Sequence, residues 1–176
     1  LRILRGARFA ARLDVEIDDT TLGAMWESVG RLPSLPQERV RMEMEKALVQ
    51  ADEPSRFFKV LHEVAALDYT FPELHALKGV PAGPEEFHQE GDALDHTLLV
   101  LDEMAELRPN DEIGMLMALA HDMGKVKTPE DEWPNHYDHG RAGVMPAREM
   151  FARLGMSREQ CKAMKEACRL HMRFHD

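Results

Sequence analysis

A chain of 176 residues, 44% of them hydrophobic, is long enough for one large or two small domains with a core of their own. Two cysteines, Cys161 and Cys168, are too few for a disulfide framework and point to a reducing, cytoplasmic setting. A net charge of −10 argues against a general nucleic-acid coat while leaving room for a local basic face. No apolar run approaches the roughly 18 to 20 residues of a membrane span, so no membrane partner is expected. No leader segment opens the chain either. It starts at Leu1 already inside an amphipathic pattern and is expected to be a piece of something longer.

The first helix, "LRILRGARFAARL", places Arg2, Arg5, Arg8 and Arg12 within an arc of about 120°, with Ile3, Leu4, Ala7, Ala10 and Ala11 opposite. A second helix is expected from Thr21 to Val29, capped by Asp19, Thr20 or Thr21. Pro33 and Pro36 break the pattern. The next helix starts at Pro36 and carries Val40, Met44, Ala47 and Leu48 on one stripe. Pro54 opens "PSRFFKVLHEVAAL", in which Phe57, Phe58, Leu61, Val64 and Ala65 are spaced for a core. After the short piece "FPELHAL", the Pro/Gly-dense stretch "KGVPAGPEEF" marks the boundary between two units, 1–80 and 81–176.

In the second unit Asp92 is expected to cap a helix that ends near Arg108 and Pro109. "DEIGMLMALAHDMGKVK" is the most apolar helix, acidic at its start and basic at its end as the helix dipole prefers, and Pro129 stops it. Met115, Met117 and Met123 belong to its packing. A helix between Ala142 and Leu154 is interrupted or begun at Pro146, and a last one opens at Ser157 as N-cap. With no alternating run long enough for a sheet, the fold class is all-α.

Seven of the nine histidines lie from His88 onward, at His88, His96, His121, His136, His139, His171 and His175. A lone helical histidine is ordinarily a surface residue or a hydrogen-bonded core residue, and His62 and His75 are assigned to that class. His62 and Glu63 lack a second histidine at the four-residue spacing of a zinc-protease helix. His121 and Asp122 differ, because they follow "IGMLMALA" and a buried carboxylate needs a partner that offsets its desolvation. A divalent cation is one such partner. Adjacent residues leave a helix about 100° apart and can bracket a metal held against a neighbouring helix, which supplies His96. Imidazole with carboxylate suits a borderline or hard ion, not a thiolate-bound structural zinc.

His96 on one helix, then His121 and Asp122 followed by "MGK", resembles the HD superfamily of metal-dependent phosphohydrolases, whose pattern is H…HD…D. Together, "LRILRGARFAARL", "PQERVRMEMEKAL", "FFKVLHEVAALDYTFPEL", "FHQEGDALDHTLLVL" and "HDMGKVKTPEDEWPNHYDHGRAG" are similar to the bacterial tRNA nucleotidyltransferases. Within that family the match is to the HD-containing form of the CCA-adding enzymes. The resemblance implies His96, His121 and Asp122 as ligands of Mg2+, Ni2+ or Mn2+. His139 and His171 fall where two-metal members place extra histidines, or serve as phosphate-contacting or structural residues. Lys125, one turn after His121, joins His121 and Asp122 as a catalytic candidate by steering a phosphate, or pairs with the helix dipole. "FHQEGD" resembles a family signature written with proline after the histidine, and Gln89 replaces that proline. Asp92 then caps the helix that carries His96. The last aspartate of the pattern is expected beyond Asp176, itself too close after His171.

The same resemblance implies metal-assisted hydrolysis of 2′,3′-cyclic phosphodiesters, 2′-nucleotides or phosphomonoesters at the tRNA 3′ end. Its partners are tRNA, nucleotides or cyclic phosphates, and a homodimer is an allowed assembly. CCA addition with Mg2+, ATP and CTP belongs to a nucleotidyltransferase head. "DVEIDDTT" lacks the glycine-rich context of that head, so this stretch alone is not expected to add CCA. Arg2, Arg5, Arg8 and Arg12, with Phe9 among them, form either an RNA-binding surface or a set of partners for acidic groups. Two other functions remain open: an RNA-positioning body with a structural or unused metal site, and an HD phosphohydrolase acting on free nucleotides.

Overall fold

The computed structural model describes residues 1–174, so His175 and Asp176 lie outside the described residues. Helix α1 (Arg2–Leu13) buries Ile3, Leu4, Ala7, Ala10 and Ala11 against α3 (Gln37–Gln50) and α4 (Ser55–Glu63). Three of those five positions are alanine, which lets the helices approach closely. Between them α2 (Asp19–Glu27) starts at the earliest expected cap, so its actual N-cap lies one residue before it. Asp18 is the N-cap, and its carboxylate accepts from the Thr21 amide at 3.1 Å. Two single-turn helices, α5 (Leu67–Thr70) and α6 (Pro72–His75), close this half over an edge-to-face cluster of Phe57, Phe58 and Phe71. All three rings are fully buried, and each contributes roughly 1.5–3 kcal/mol by burial.

The second half is built around α8 (Glu112–Ala120), packed between α7 (Ala93–Leu107) and α11 (Arg158–Leu170). The short α9 (His139–Ala142) and α10 (Val144–Arg153) lie on α11. Asp92 caps α7 by accepting from the Asp95 amide at 3.0 Å, and Ser157 caps α11 in a reciprocal capping box with Gln160. Among the described residues there is no β-strand, only an isolated bridge between Pro81 and Asp92. That bridge lies in the irregular segment between α6 and α7. The hydrophobic core runs on across it, through contacts of α3 with α8 and of α4 with α7.

Ala65, expected in the core, is exposed just past the end of its helix with φ 55°, and two further expectations are corrected. The helix through "DEIGMLMALA" does not continue to Pro129. It ends at Ala120, and residues 121–124 turn before a 3-10 turn at Lys125–Lys127. The turn draws Gly124 against the backbone of α9, so close that a β-carbon there would sit 1.8 Å from the His139 carbonyl oxygen and 2.6 Å from the Gly143 nitrogen. Lys125 and Lys127 therefore do not sit on the last turn of a helix dipole. Arg8 also leaves the basic face of α1. It is 7% exposed, and its Nε donates to Glu43 Oε2 at 2.6 Å while the guanidinium covers the Phe9 ring at 4.1 Å. Arg2, Arg5 and Arg12 remain exposed.

Removing one partner of a buried ion pair strands the other charge. Arg8→Met is expected to cost about 3–5 kcal/mol in urea unfolding, and Arg8→Met with Glu43→Leu should recover most of it. If the double variant is no more stable than the single one, the pair does more than neutralise itself. Gly124→Ala keeps an allowed backbone, with φ −75°, but has no room for its methyl group. It should destabilise at or above the roughly 1–3 kcal/mol typical of overpacking, read as a lower unfolding midpoint. An unchanged midpoint would mean that α9 yields easily.

Candidate metal centre

Because α8 stops at Ala120, His121 and Asp122 enter the interior at its C-terminal end instead of continuing along its surface. Asp122 is 2% exposed and sits at the meeting point of four elements. Its Oδ2 lies 3.2 Å from His121 Nε2 and 3.6 Å from His96 Nε2, on α7. Its Oδ1 lies 3.3 Å from His139 Nε2, on α9, and 3.4 Å from His171 Nε2, which follows α11. Two overlapping triads result, His96, His121 and Asp122 on one side and Asp122, His139 and His171 on the other. In each, the candidate ligand atoms lie within 4.8 Å of one another.

The outer nitrogen of every imidazole is engaged by an acceptor. His121 Nδ1–H donates to the Ala118 carbonyl at 2.7 Å, and His139 Nδ1–H to the His136 carbonyl at 2.7 Å. The Nδ1–H of His171 is shared between the Ala167 and Cys168 carbonyls at 3.1 and 3.0 Å. His96 Nδ1–H donates to Glu90 Oε1 at 2.6 Å. In a neutral ring the proton is then on Nδ1 and the lone pair on Nε2. Four lone pairs converge on one carboxylate, and His139 Nε2 and His171 Nε2 are only 2.9 Å apart. Lone pairs so placed repel unless a proton or a cation lies between them. A divalent cation fits this donor set, nitrogen and oxygen with no soft ligand, and the outer hydrogen bonds are those that orient metal-binding histidines.

Electrostatics separates the residues. Burial alone would raise the Asp122 pKa, but His121, with His139 and His171 behind it, holds the carboxyl well below its ordinary range. Burial opposes the charged form of His121, yet the adjacent Asp122 wins and its pKa is raised. For His96, farther from the carboxylate, burial wins and the pKa is lowered. Cys168 lies beneath the centre and gives its thiol proton to the Ala120 carbonyl at 3.2 Å. Burial pushes its pKa up to about 12, which keeps it a thiol that donates to that carbonyl.

Of the residues singled out in the sequence, His96, His121, Asp122, His139 and His171 come together here. Lys125 does too, but not as a residue free to meet a phosphate. It is buried, and its Nζ donates to Asp122 Oδ2 at 2.5 Å and to the Ala82 carbonyl at 2.5 Å, making it the internal counter-ion of Asp122. The arginines of α1 do not belong to the centre. His88 stands one step back, its Nδ1–H on the same Glu90 oxygen at 2.8 Å. Glu90 as the residue that orients His96 was not foreseen, although its place between His88 and His96 in "FHQEGDALDH" was a usable signal. His136 was not assigned either. Buried beside Thr128, it donates from Nε2 to the Pro81 carbonyl at 2.7 Å and ties the loop before α9 to the segment that carries Ala82.

Residues 14–78 match the family described as the probable RNA and SrmB-binding site of polymerase A, and residues 93–176 match the HD domain. A multifunctional CCA protein of Stenotrophomonas maltophilia is 42% identical over 180 residues, which is 99% of this chain and 44% of the relative. Multifunctional CCA proteins of Mannheimia succiniciproducens and Xanthomonas campestris pv. campestris are 41% and 40% identical over 99% of this chain and 43% of their own length. The chain thus spans less than half the length of the curated relatives it matches. Over 99% of its length it is related to the multifunctional CCA proteins, and within it a stretch matching the polymerase-A-type RNA-binding family is followed by one matching the HD domain.

Proposed function

We propose that the chain carries a metal-dependent phosphohydrolase centre that acts on 2′,3′-cyclic phosphodiesters or phosphomonoesters at the 3′ end of tRNA. The observation that carries this reading is the convergence of four Nε2 lone pairs on the buried Asp122 carboxylate. His96, His121 and Asp122 would hold one divalent ion, and Asp122, His139 and His171 a second, with Mg2+, Ni2+ and Mn2+ all compatible with the donors. When bound, such an ion supplies Lewis acidity and lowers the pKa of bound water toward about 7. Asp122 brings the negative charge, and the histidines bring neutral donors fixed by their carbonyl and carboxylate partners. Lys125 balances Asp122 from the side of Ala82.

The RNA side of the reading rests on the match of residues 14–78 and on the names of the relatives. In it, 1–80 is a helical RNA-binding body, Arg2, Arg5 and Arg12 face the RNA, and 81–176 is the HD unit. CCA addition with Mg2+, ATP and CTP by a nucleotidyltransferase head, and a cytoplasmic location, are what the family resemblance implies for a whole protein of this kind, not for this stretch alone.

The test is metal analysis together with hydrolysis of 2′,3′-cyclic AMP by wild type, His121→Ala and Asp122→Ala. The wild type should hold a divalent metal and hydrolyse the substrate. Both variants should lose about 100-fold or more, because even outer partners of metal ligands are worth about 10–100-fold. Equal hydrolysis by all three would remove the catalytic reading.

Glu90 supplies a pH signature of the arrangement that orients His96. Burial would raise its pKa, but hydrogen bonds from His88, from its own backbone and from His96 bring it down from 4.5 to about 2. A carboxylate whose folded-state pKa is depressed stabilises the fold fully above its unfolded value and loses that contribution as pH falls through the folded one. The stability gap between wild type and Glu90→Gln in chelator should therefore be constant above about pH 4.5 and shrink toward pH 2. A gap that stays constant across that window would show that the Glu90 charge is not what holds His96.

A further inference from the structure

The most ordered set of cations in the molecule is not on α1. Arg158, Lys162, Lys165 and Arg169 recur on α11 at intervals of four, three and four, which places them within an arc of about 60° and along roughly 16 Å of helix. Gln160, Met164, Ala167 and Cys168 occupy the buried side. The basic stripe lines two adjoining clefts, of about 770 and 560 Å3, that share Val144, Met145 and Lys165. Arg141 faces it across the first cleft and Arg148 across the second. Arg141 is held there because α9 lies directly on α11: a β-carbon at Gly140 would meet the Cys168 carbonyl oxygen at 2.6 Å.

All six cations are exposed, and among the described residues none is in an ion pair. Two acids, Asp138 and Glu166, line the same clefts. The buried His139 is among the residues that line the first cleft, and His171 follows the last turn of α11. Tyr137, 68% exposed, lines the same cleft.

We infer that this face of α11 is a binding track for the phosphodiester backbone of a single-stranded RNA, leading its terminal phosphate to His139 and His171. The inference deepens the reading of the centre as an RNA-directed phosphohydrolase and rests on it for what happens at these histidines. A chain of net charge −10 repels a polyanion everywhere except where cations are concentrated, so six of them beside one mouth select the approach. Cations about 4.5–6 Å apart along a straight helix suit a backbone of regularly spaced phosphates. Tyr137 offers a face on which a base stacks. An acidic protein segment would use the same charges, but nothing would place its track at a phosphate-handling centre.

RNA binding is measured on the full chain in chelator, so hydrolysis plays no part. A labelled single-stranded oligoribonucleotide of about a dozen nucleotides is titrated by fluorescence anisotropy between about 50 and 200 mM salt. The triple variant Lys162→Gln, Lys165→Gln, Arg169→Gln should weaken binding more than tenfold at the low-salt end. It should also flatten the log Kd against log salt slope by about 2, at roughly 0.7 per cation lost. Single Lys165→Gln and Arg169→Gln variants should each flatten it by about 0.7, which keeps the test valid if the triple variant unfolds. An unchanged slope in these variants, or loss of binding only in Arg2→Gln, Arg5→Gln, Arg12→Gln, overturns the track. So does polyglutamate binding that depends on these residues while RNA binding does not. RNA binding that follows these predictions in a chain without hydrolytic activity would leave the track standing and remove the phosphohydrolase reading instead.

Discussion

An ionised carboxylate that is 2% exposed must be compensated inside the protein, and around Asp122 that requirement organises the second half of the fold. An uncompensated charge there would cost several kcal/mol, a large part of the stability of a chain this size. Lys125, from the turn after α8, brings the counter-charge, and α7, α9 and the end of α11 bring imidazoles that need a proton or a cation between them and the carboxylate, so each of these elements has to arrive within 3.6 Å of one side chain. The close backbone contacts follow from that demand. Gly124 lies on α9 because the turn carrying Asp122 and Lys125 must reach His139, and Gly140 lies on α11 because His139 must reach His171.

Helix boundaries set by capping and proline chemistry were legible from residues alone, because those signals are local: Asp92, Ser157, Pro36 and Pro54 act within three residues of themselves. His96, His121 and Asp122 were legible for a different reason, since an apolar run leading into a charged residue is costly unless a partner exists. The end of α8 was not legible. "ALAHDMGKVK" carries no local stop before Gly124, and what ends the helix is the tertiary pull of the centre on residues 121–125. Arg8 is not equivalent to the other three arginines of α1. It lies at the edge of their arc, about 40° from Leu4, and is therefore the arginine that reaches the interior and Glu43. The stripe on α11 was present in the spacing, but spacing alone does not separate a binding face from an ordinary solvated one. The distinction comes from what stands at its end, and His139 is remote from it in sequence.

The sharing of Asp122 also makes the two triads dependent on each other. Each uses a different oxygen of one carboxylate, and Lys125 holds the oxygen that faces His96 and His121. A cation approaching that side competes with an ammonium at 2.5 Å that is itself tied to the Ala82 carbonyl. On the other side the occupants facing Oδ1 are two imidazoles 2.9 Å apart, with no lysine or arginine among the described residues paired to that oxygen. The sides are thus electrostatically unequal before any ion binds, and a charge placed on either changes the field felt by the other through a low-dielectric path of one carboxylate. Substitutions at His96 and His171 should accordingly be treated as coupled through Asp122, not as independent losses.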